Sequence, residues 1–527
     1  MKILISDKLA TEGVDILKSV DGFDVDCQFG ITPDELKKII KDYDALIIRS
    51  GTNVTEEILA CADKLKFIGR AGVGLDNVDL KAATKKGIVA MNTPAGNTTS
   101  TAEHTMSMIL ALSRNIPQAY ASMKAGRWDR SKFSGVELYG KTLGVIGLGR
   151  IGSTVAKFAQ AFGMQVIAYD PFLSLEVANK KGVEAVEFED LLKRSDYITV
   201  HIPKSSDTKN LISEREFALM KKGVRLINCA RGGIVDEAAL VEALKNEKIK
   251  GCALDVFEAE PLDPKSPLLE FDNCVVTPHL GASTSEAQIN VAIEIAQTVK
   301  DALLGQGIVN AANYPSVDGE AFKILEPYID LGRRMGLFSG QLINGRTSKI
   351  SITYSGIMNK YKTAPISFSL VYGLMKPILG DTINSINALD VAKDRGIDVQ
   401  EIKSNTQEEF VNCIKLEVKS DKETFHAWGT LSGNNQPRIV KIKDIYVEAI
   451  PNGCMLFINN NDKPGLIGAL GTILAQEGIN IAGISLSRES KDGVAISVVN
   501  VDSEITEATM EKIKKTADVL FVKQIKV

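Results

Sequence analysis

Three short segments of this 527-residue chain carry side chains from which acid–base chemistry can be built. Asn228–Gly233 (NCARGG) offers Arg231, Asp255–Pro261 (DVFEAEP) offers carboxylates, and Thr277–Thr284 (TPHLGAST) offers His279. Each follows or overlaps the end of a short apolar run that reads as a strand, where open α/β sheets gather their sites. Oxidising an alcohol by hydride transfer needs a base for the hydroxyl proton, and a histidine titrates near working pH. A neighbouring carboxylate fixes its tautomer and favours the imidazolium. A guanidinium fork grips a carboxylate bidentately, so a 2-hydroxy acid is the natural substrate. Of the four histidines, His104 lies inside an expected helix and His426 stands two residues before Trp428, and both read as packing or surface residues. His201 ends a strand and reads as lining a cofactor cleft. His279 alone has the loop context of a base. Between Glu258 and Glu260 the residues themselves do not decide which carboxylate is its partner.

A redox partner for that chemistry is written upstream. Thr142–Gly152 (TLGVIGLGRIG) places Gly147, Gly149 and Gly152 in G-x-G-x-x-G spacing between an apolar strand, Leu143 to Ile146, and a helix, Ile151 to Phe162. The first glycine permits the turn, the second lets a pyrophosphate approach the backbone, and the third allows close helix–strand packing. The helix N-terminus faces the phosphates. A second strand, Gln165–Asp170 (QVIAYD), ends in an acid about 20 residues on, where the dinucleotide fold places a ribose-binding carboxylate. Strand, glycines, helix and acid in register point to a bound dinucleotide.

The whole chain sets the bounds. Its length suggests about three to five domains. With 44% hydrophobic and 24% charged residues it has an ordinary globular composition. A net charge of −4 and a pI near 5.9 argue against a nucleic-acid binder. The N-terminus lacks the apolar core of a signal peptide, and no stretch has the apolar length of a membrane span. Seven cysteines without C-x-x-C pairs imply neither zinc nor a disulfide framework, so no metal site is expected and a reducing cytoplasm fits best.

The elements that must position these residues read as two α/β units. Lys2–Ser6, Ala45–Arg49, Phe67–Arg70 and Ile88–Asn92 are expected strands, with helices such as Pro33–Lys41 between them. A long helix, Thr98–Ser113, leads into the glycine-loop unit, whose further strands are Tyr197–Ile202, Arg225–Ala230, Cys252–Val256 and Cys274–Thr277. Helix Ser285–Leu304 leads back toward the first unit, so two lobes with a ligand cleft are expected. Turn-rich Asn310–Gly319 marks a boundary, residues 320–448 form a mixed α/β region without a chemical motif, and Ile450–Gly453 marks another turn. The last stretch reads strand, helix, strand, strand, helix, with a short closing strand.

These segments together closely resemble the D-isomer-specific 2-hydroxyacid dehydrogenase family. RAGVGLDNVD (Arg70–Asp79), MNTPAGN (Met91–Asn97) and the C-terminal extension resemble its long, phosphoglycerate-oxidising branch. The resemblance implies an α/β fold in which a Rossmann-type NAD domain (98–284) is inserted in a flavodoxin-like substrate domain (1–97 and 285–312). An allosteric substrate-binding, or intervening, domain (316–448) and a ββαββα ACT regulatory domain (452–527) follow. It implies that Arg231 binds the substrate carboxylate and carbonyl, that His279 is the acid–base, and that Glu260, the acid immediately before the proline, is its partner. NAD contacts are implied for Gly147, Gly149, Arg150, Ile151 and Gly152, for Asp170, and for Cys229, Ala230, Arg231 and Asp255. The segment His279, Leu280, Gly281 and Ala282 is implied along the same face. Arg49 and Arg70 are implied at the substrate phosphate, Gly74 and Asn97 at its carboxylate end, and Arg130 across a dimer interface. Val73 has no hydroxyl where relatives often carry Thr or Ser.

FINNNDKPGLIGALGTILAQEGINIAGISLSR (Phe457–Arg488) carries the ACT resemblance. It implies pairing between chains, with L-serine as effector at Asp462 and Asn480, while Asn460 replaces a His or Tyr of some relatives. The implied activity is NAD-dependent oxidation of 3-phosphoglycerate to 3-phosphohydroxypyruvate, the first step of L-serine biosynthesis, by a homodimer or homotetramer. Two rivals are a dehydrogenase of an unphosphorylated 2-hydroxy acid and a nicotinamide-sensing corepressor on the same scaffold. Arg49, Arg70 and the C-terminal module favour the first reading.

Overall fold

The computed structural model describes residues 1–406, 410–490 and 493–527. The first sheet contains β1 (Lys2–Ile5), β2 (Asp24–Cys27), β3 (Ala45–Ile48), β4 (Phe67–Arg70) and β5 (Val89–Met91). They run parallel in the order β2-β1-β3-β4-β5. That is the flavodoxin-like order. ALII in β3 is buried at every position, as a parallel strand covered on both faces must be. Edge strand β2 (DVDC) is polar and was not apparent from the apolar pattern.

The second sheet holds the glycine loop. β6 (Thr142–Ile146), β7 (Gln165–Tyr169), β8 (Glu184–Ala185), β9 (Tyr197–Val200), β10 (Val224–Asn228), β11 (Ile249–Leu254) and β12 (Cys274–Val276) lie in the order β12-β11-β10-β9-β6-β7-β8. Every pair is parallel. The chain direction of the crossovers reverses between β6 and β9, the switch point at which such sheets bind dinucleotides beyond their C-terminal ends. In β10, β11 and β12, Asn228 pairs with Leu254 and Leu254 with Val276. The three chemistry-bearing segments therefore leave adjacent strands at one level.

Residues 347–449 form a third sheet: β13 (Thr347–Ser355), β14 (Asp398–Ser404), β15 (Cys413–Ser420), β16 (Thr424–Ser432), β17 (Gln436–Ile442) and β18 (Ile445–Ala449). Its order is β14-β13-β15-β16-β17-β18, antiparallel except for β13 with β14. The last sheet holds β19 (Cys454–Asn461), β20 (Ile481–Arg488), β21 (Val494–Val501) and β22 (Val519–Lys526) in the order β20-β21-β19-β22. Helices Leu466–Gln476 and Glu507–Lys514 complete it. Among its described residues the module thus has four strands and two helices, in the chain order strand, helix, strand, strand, helix, strand. Alternation in β19 divides its two faces. Leu456 and Ile458 pack on Leu470 and Leu474 of the first helix. Met455 and Phe457 instead join the core of the preceding domain, where Phe457 meets Phe338 edge to face at 6.2 Å.

The chain divides into two compact units, one of Met1–Lys8, Val14–Asn92 and Ile295–Val527, the other of Leu9–Gly13 and Thr93–Glu294. The division falls within helix Ser285–Leu303. Among the described residues, no helix is long and apolar enough to cross a membrane.

Candidate functional site

Each glycine of the loop after β6 has a distinct physical role. Gly147 sits at φ +90°, a left-handed turn closed to most side chains. A Cβ at Gly152 would stand 2.0 Å from Gly147 O and 3.2 Å from Val145, so only glycine lets the helix Arg150–Ala161 pack on β6. A Cβ at Gly149 would meet nothing within 4 Å. That open space, above the unfilled N-terminal amides of a 12-residue helix, fits a pyrophosphate. Asp170, just past β7, accepts from Leu148 N–H at 3.0 Å and from Phe172 N–H at 3.0 Å. Its carboxylate is thereby fixed beside the glycine loop, as a ribose acceptor must be. Arg150 is exposed at the helix start, and Ile151 packs toward the core beneath it.

Around Arg231 the loop is held by buried Asn228. The Asn228 side chain accepts from Ala230 N–H at 3.0 Å and donates to Arg231 O at 2.9 Å. Arg231 Nη1 donates to Ala230 O at 2.8 Å. At Gly232 a Cβ would fall 1.7 Å from Phe257 O, so the RGG loop and the DVFEAEP segment touch backbone to backbone. Cys229 is buried, and burial pushes its thiol up to about 12, which leaves the backbone rather than the thiolate to act there.

Glu260, not Glu258, is brought to the histidine. His279 Nδ1 donates to Glu260 Oε2 at 2.7 Å, and Glu260 Oε1 accepts from Phe257 N–H at 3.1 Å. A carboxylate on Nδ1–H leaves the lone pair on Nε2, the tautomer a proton acceptor needs. Glu258 instead exchanges hydrogen bonds with Glu237 at the start of the preceding helix, Glu237–Lys245. Beside the pair lies an open cavity of about 560 Å³ lined by Phe257, Glu260, Leu262, Val276, Thr277 and His279.

Asp255 organises the segment that carries His279. It is wholly buried, and its carboxylate accepts from Thr277 Oγ1 at 2.6 Å, Leu280 N–H at 2.7 Å and Gly281 N–H at 2.8 Å. Burial works against its charge, but hydrogen bonds from His104, Thr277, Leu280 and Gly281 outweigh it and hold the carboxyl below the ordinary range. His279 itself has φ +54°, an uncommon backbone for a non-glycine residue, and its N–H is tied to Asp255 O at 2.9 Å. Ala282 follows, exposed.

The remaining expected residues are placed as follows. Arg49 follows β3 in a turn built by Asp7, whose carboxylate accepts from the N–H groups of Arg49 at 2.6 Å and Thr52 at 3.1 Å. Asn77 donates to Arg49 O at 2.7 Å. Arg70 ends β4 with its guanidinium folded over Gly72, two residues before Gly74. Asn97 stands at the N-cap position of the helix Thr98–Arg114, makes no side-chain capping bond, and keeps a buried amide oxygen without a protein partner. Arg130 lies exposed in a 3₁₀ turn. In the C-terminal module the two effector candidates are engaged internally: Asp462 with Arg488 at 2.8 Å, and the Asn480 amide with Asp502 at 2.7 Å. The sequence pattern does not show Arg488 beside Asp462, nor Asp7 and Asn77 around Arg49, because these partners meet only through strand register and loop closure.

Residues 106–281 match the model of the NAD binding domain of D-isomer specific 2-hydroxyacid dehydrogenases. Residues 324–443 match the D-3-phosphoglycerate dehydrogenase intervening domain and 455–518 the ACT domain. Fold and site thus define a nicotinamide-dependent 2-hydroxyacid oxidoreductase. A D-lactate dehydrogenase from Aquifex aeolicus, solved with NAD and lactic acid, superposes with a TM-score of 0.51 at 32% identity, over 58% of this chain and 96% of that one. Over its whole length the chain is similar to D-3-phosphoglycerate dehydrogenases of Methanocaldococcus jannaschii (45% identity) and Archaeoglobus fulgidus (42%), with 98% of each chain covered. It belongs to the D-3-phosphoglycerate dehydrogenase family, in its long form with intervening and ACT domains.

Proposed function

We propose that the chain oxidises 3-phospho-D-glycerate to 3-phosphohydroxypyruvate with NAD, the first step of L-serine biosynthesis. The observation that carries the chemistry is the 2.7 Å Glu260–His279 pair beyond β11 and β12, next to the Arg231 loop beyond β10. Arg231 orients the substrate through its carboxylate and carbonyl. His279 Nε2 takes the C2 hydroxyl proton, and Glu260 stabilises the resulting imidazolium through Nδ1–H. NAD, when bound, supplies the acceptor for the C2 hydride. Gly147 to Gly152 and the helix N–H groups hold its pyrophosphate, and Asp170 holds the adenosine ribose and disfavours a 2′-phosphate. Cys229 and Ala230 contribute backbone near the nicotinamide. Arg49 and Arg70 recognise the substrate phosphate, Gly74 and Asn97 its carboxylate end, and Arg130 serves a neighbouring subunit in a homodimer or homotetramer. L-Serine acts as feedback effector at Asp462 and Asn480. Seven free thiols support a cytoplasmic setting.

Reduction of NAD by purified protein with 3-phosphoglycerate, glycerate and lactate tests the reading. Turnover strongly favouring the phosphorylated acid, and weakened in Arg49→Ala and Arg70→Ala far more for it than for residual use of glycerate and lactate, is the expected result. Equal use of the three acids, or equal loss of all three in those variants, removes the phosphate assignment.

A further inference from the structure

The helix Thr98–Arg114 turns Ser100, Thr101 and His104 toward the loop that carries His279, His104 lying four residues after Ser100 and three after Thr101 and so on their face. Ser100 Oγ and Thr101 Oγ1 donate to Gly281 O at 2.8 and 3.2 Å. His104 Nε2 stands 3.1 Å from Asp255 Oδ1 and 3.2 Å from Thr277 Oγ1. The Thr277 hydroxyl donates to the same Asp255 oxygen, so the imidazole completes the donor set of a carboxylate that has no access to water. Asp255 in turn grips Leu280 and Gly281, the two residues immediately after His279. A backbone held at φ +54° persists only where its surroundings over-determine it. Here those surroundings are one carboxylate and one helix face.

We infer that His104 is a positioning residue: through the carboxylate of Asp255 it fixes the Leu280 and Gly281 amides, and so the backbone that aims His279 at its substrate. The inference rests on the acid–base role proposed for His279. It gives His104 a task in the reaction that its place inside a helix does not suggest. The imidazole Nε2–H is a directional donor to a buried anion, and its loss leaves that anion short of a partner. A carboxylate freed to change rotamer releases both amides together, because its two oxygens hold one each.

Three variants separate the hydrogen bond from mere packing. Glutamine places a terminal N–H as many bonds from Cα as the histidine Nε2–H, whereas asparagine is one carbon short and leucine has no donor. Hydrogen exchange of a peptide spanning 277–284 is read by mass spectrometry on the full chain, without substrate or cofactor. Exchange at Leu280 and Gly281 should accelerate about 10- to 100-fold in His104→Leu and His104→Asn, the range expected for losing a hydrogen bond to a charged group, and stay near the parent rate in His104→Gln. In the same two variants kcat for 3-phosphoglycerate should fall about tenfold or more while KM moves less than about threefold, a loss felt in the transition state. Unchanged exchange in all three, or a glutamine variant as unprotected as leucine, overturns the inference. If His104→Leu does not fold, the contrast between glutamine and asparagine decides. Exchange is measured without turnover, so a wrong substrate assignment cannot mimic either result.

Discussion

Two alanines, three residues apart, should fail in opposite ways. At Gly152 the new methyl would sit 2.0 Å from Gly147 O, a backbone atom, where ordinary contact needs more than 3 Å. The helix Arg150–Ala161 must retreat by about 1 Å from β6, breaking packing around Val145 and Val155. Overpacking of this kind costs about 1–3 kcal/mol, and more where backbone must move. The gain from replacing a helical glycine offsets roughly 0.5–1 kcal/mol of that. A net loss of about 2 kcal/mol lowers Tm by roughly 4–8 °C for a domain of this size. At Gly149 nothing lies within 4 Å of the added methyl, and φ is −68°, a value alanine shares. Gly149→Ala should therefore melt within about 2 °C of the parent. The methyl would instead occupy the space a pyrophosphate needs. Losing one or two hydrogen bonds to a charged group, each about 1.5–3 kcal/mol, raises the Kd for NAD by about 10-fold to about 20,000-fold. Scanning calorimetry and titration calorimetry with NAD read the two effects separately. A Gly149→Ala protein that binds NAD with parental affinity, or a Gly152→Ala protein of parental stability, would refute the roles assigned to the loop.

His279→Ala should lower turnover about a hundredfold or more while NAD still binds, and Arg231→Lys should also suffer because an ammonium cannot reproduce the fork; steady-state rates with a separate NAD titration check both. The unmutated enzyme should prefer NAD to NADP, and Asp170→Ala should narrow that preference in paired kcat/KM measurements. If serine is an effector, Asp462→Ala/Asn480→Ala should keep activity and lose inhibition, whereas Arg488→Ala, by freeing Asp462, should sharpen the response; indifference of the parent enzyme to millimolar serine would leave the module without that role. Burial pushes the His201 imidazole down to about 4. The folded protein then takes up this proton only near pH 4 while the unfolded chain does so near 6.5, so His201 contributes stability above pH 6.5 and loses it as pH falls toward 4. The loss is at most about 3 kcal/mol, and urea titrations should show a steeper fall between pH 6.5 and 4 in the parent than in His201→Asn.

What could be read before the structure was whatever is written within a few residues. The glycine spacing, the acid after QVIAY and the three segments at strand ends each depend on neighbours in sequence, and the parallel sheets follow from continuous apolar runs such as ALII. His104 was legible only as a polar residue in a helix, because its partners Asp255 and Thr277 lie more than 150 positions away and join it only through packing. The choice between Glu258 and Glu260 had the same origin: two acids two residues apart, one turned to a helix start and the other to His279. Residues 320–448 offered no motif because an antiparallel sheet with one covered face needs only alternation. The pairing of Asp462 with Arg488 came from the register of strands in the last module, which the apolar pattern does not fix at their polar ends.

The shared core of Met455, Phe457 and Phe338 has a further consequence for how the chain comes apart. Met455, Phe457, Ile496, Val498 and Ile525 pack in one cluster with Leu325, Leu331 and Phe338 of the preceding domain. Arg334 also donates to Pro451 O and Asn452 Oδ1 across the turn that joins them. The C-terminal module is therefore not a detachable appendage on a tether. A chain ended near residue 450 would bare an aromatic and aliphatic face that water now never meets, and should aggregate rather than persist as a deregulated enzyme. During thermal or chemical unfolding these two regions should melt together, in one cooperative transition rather than two.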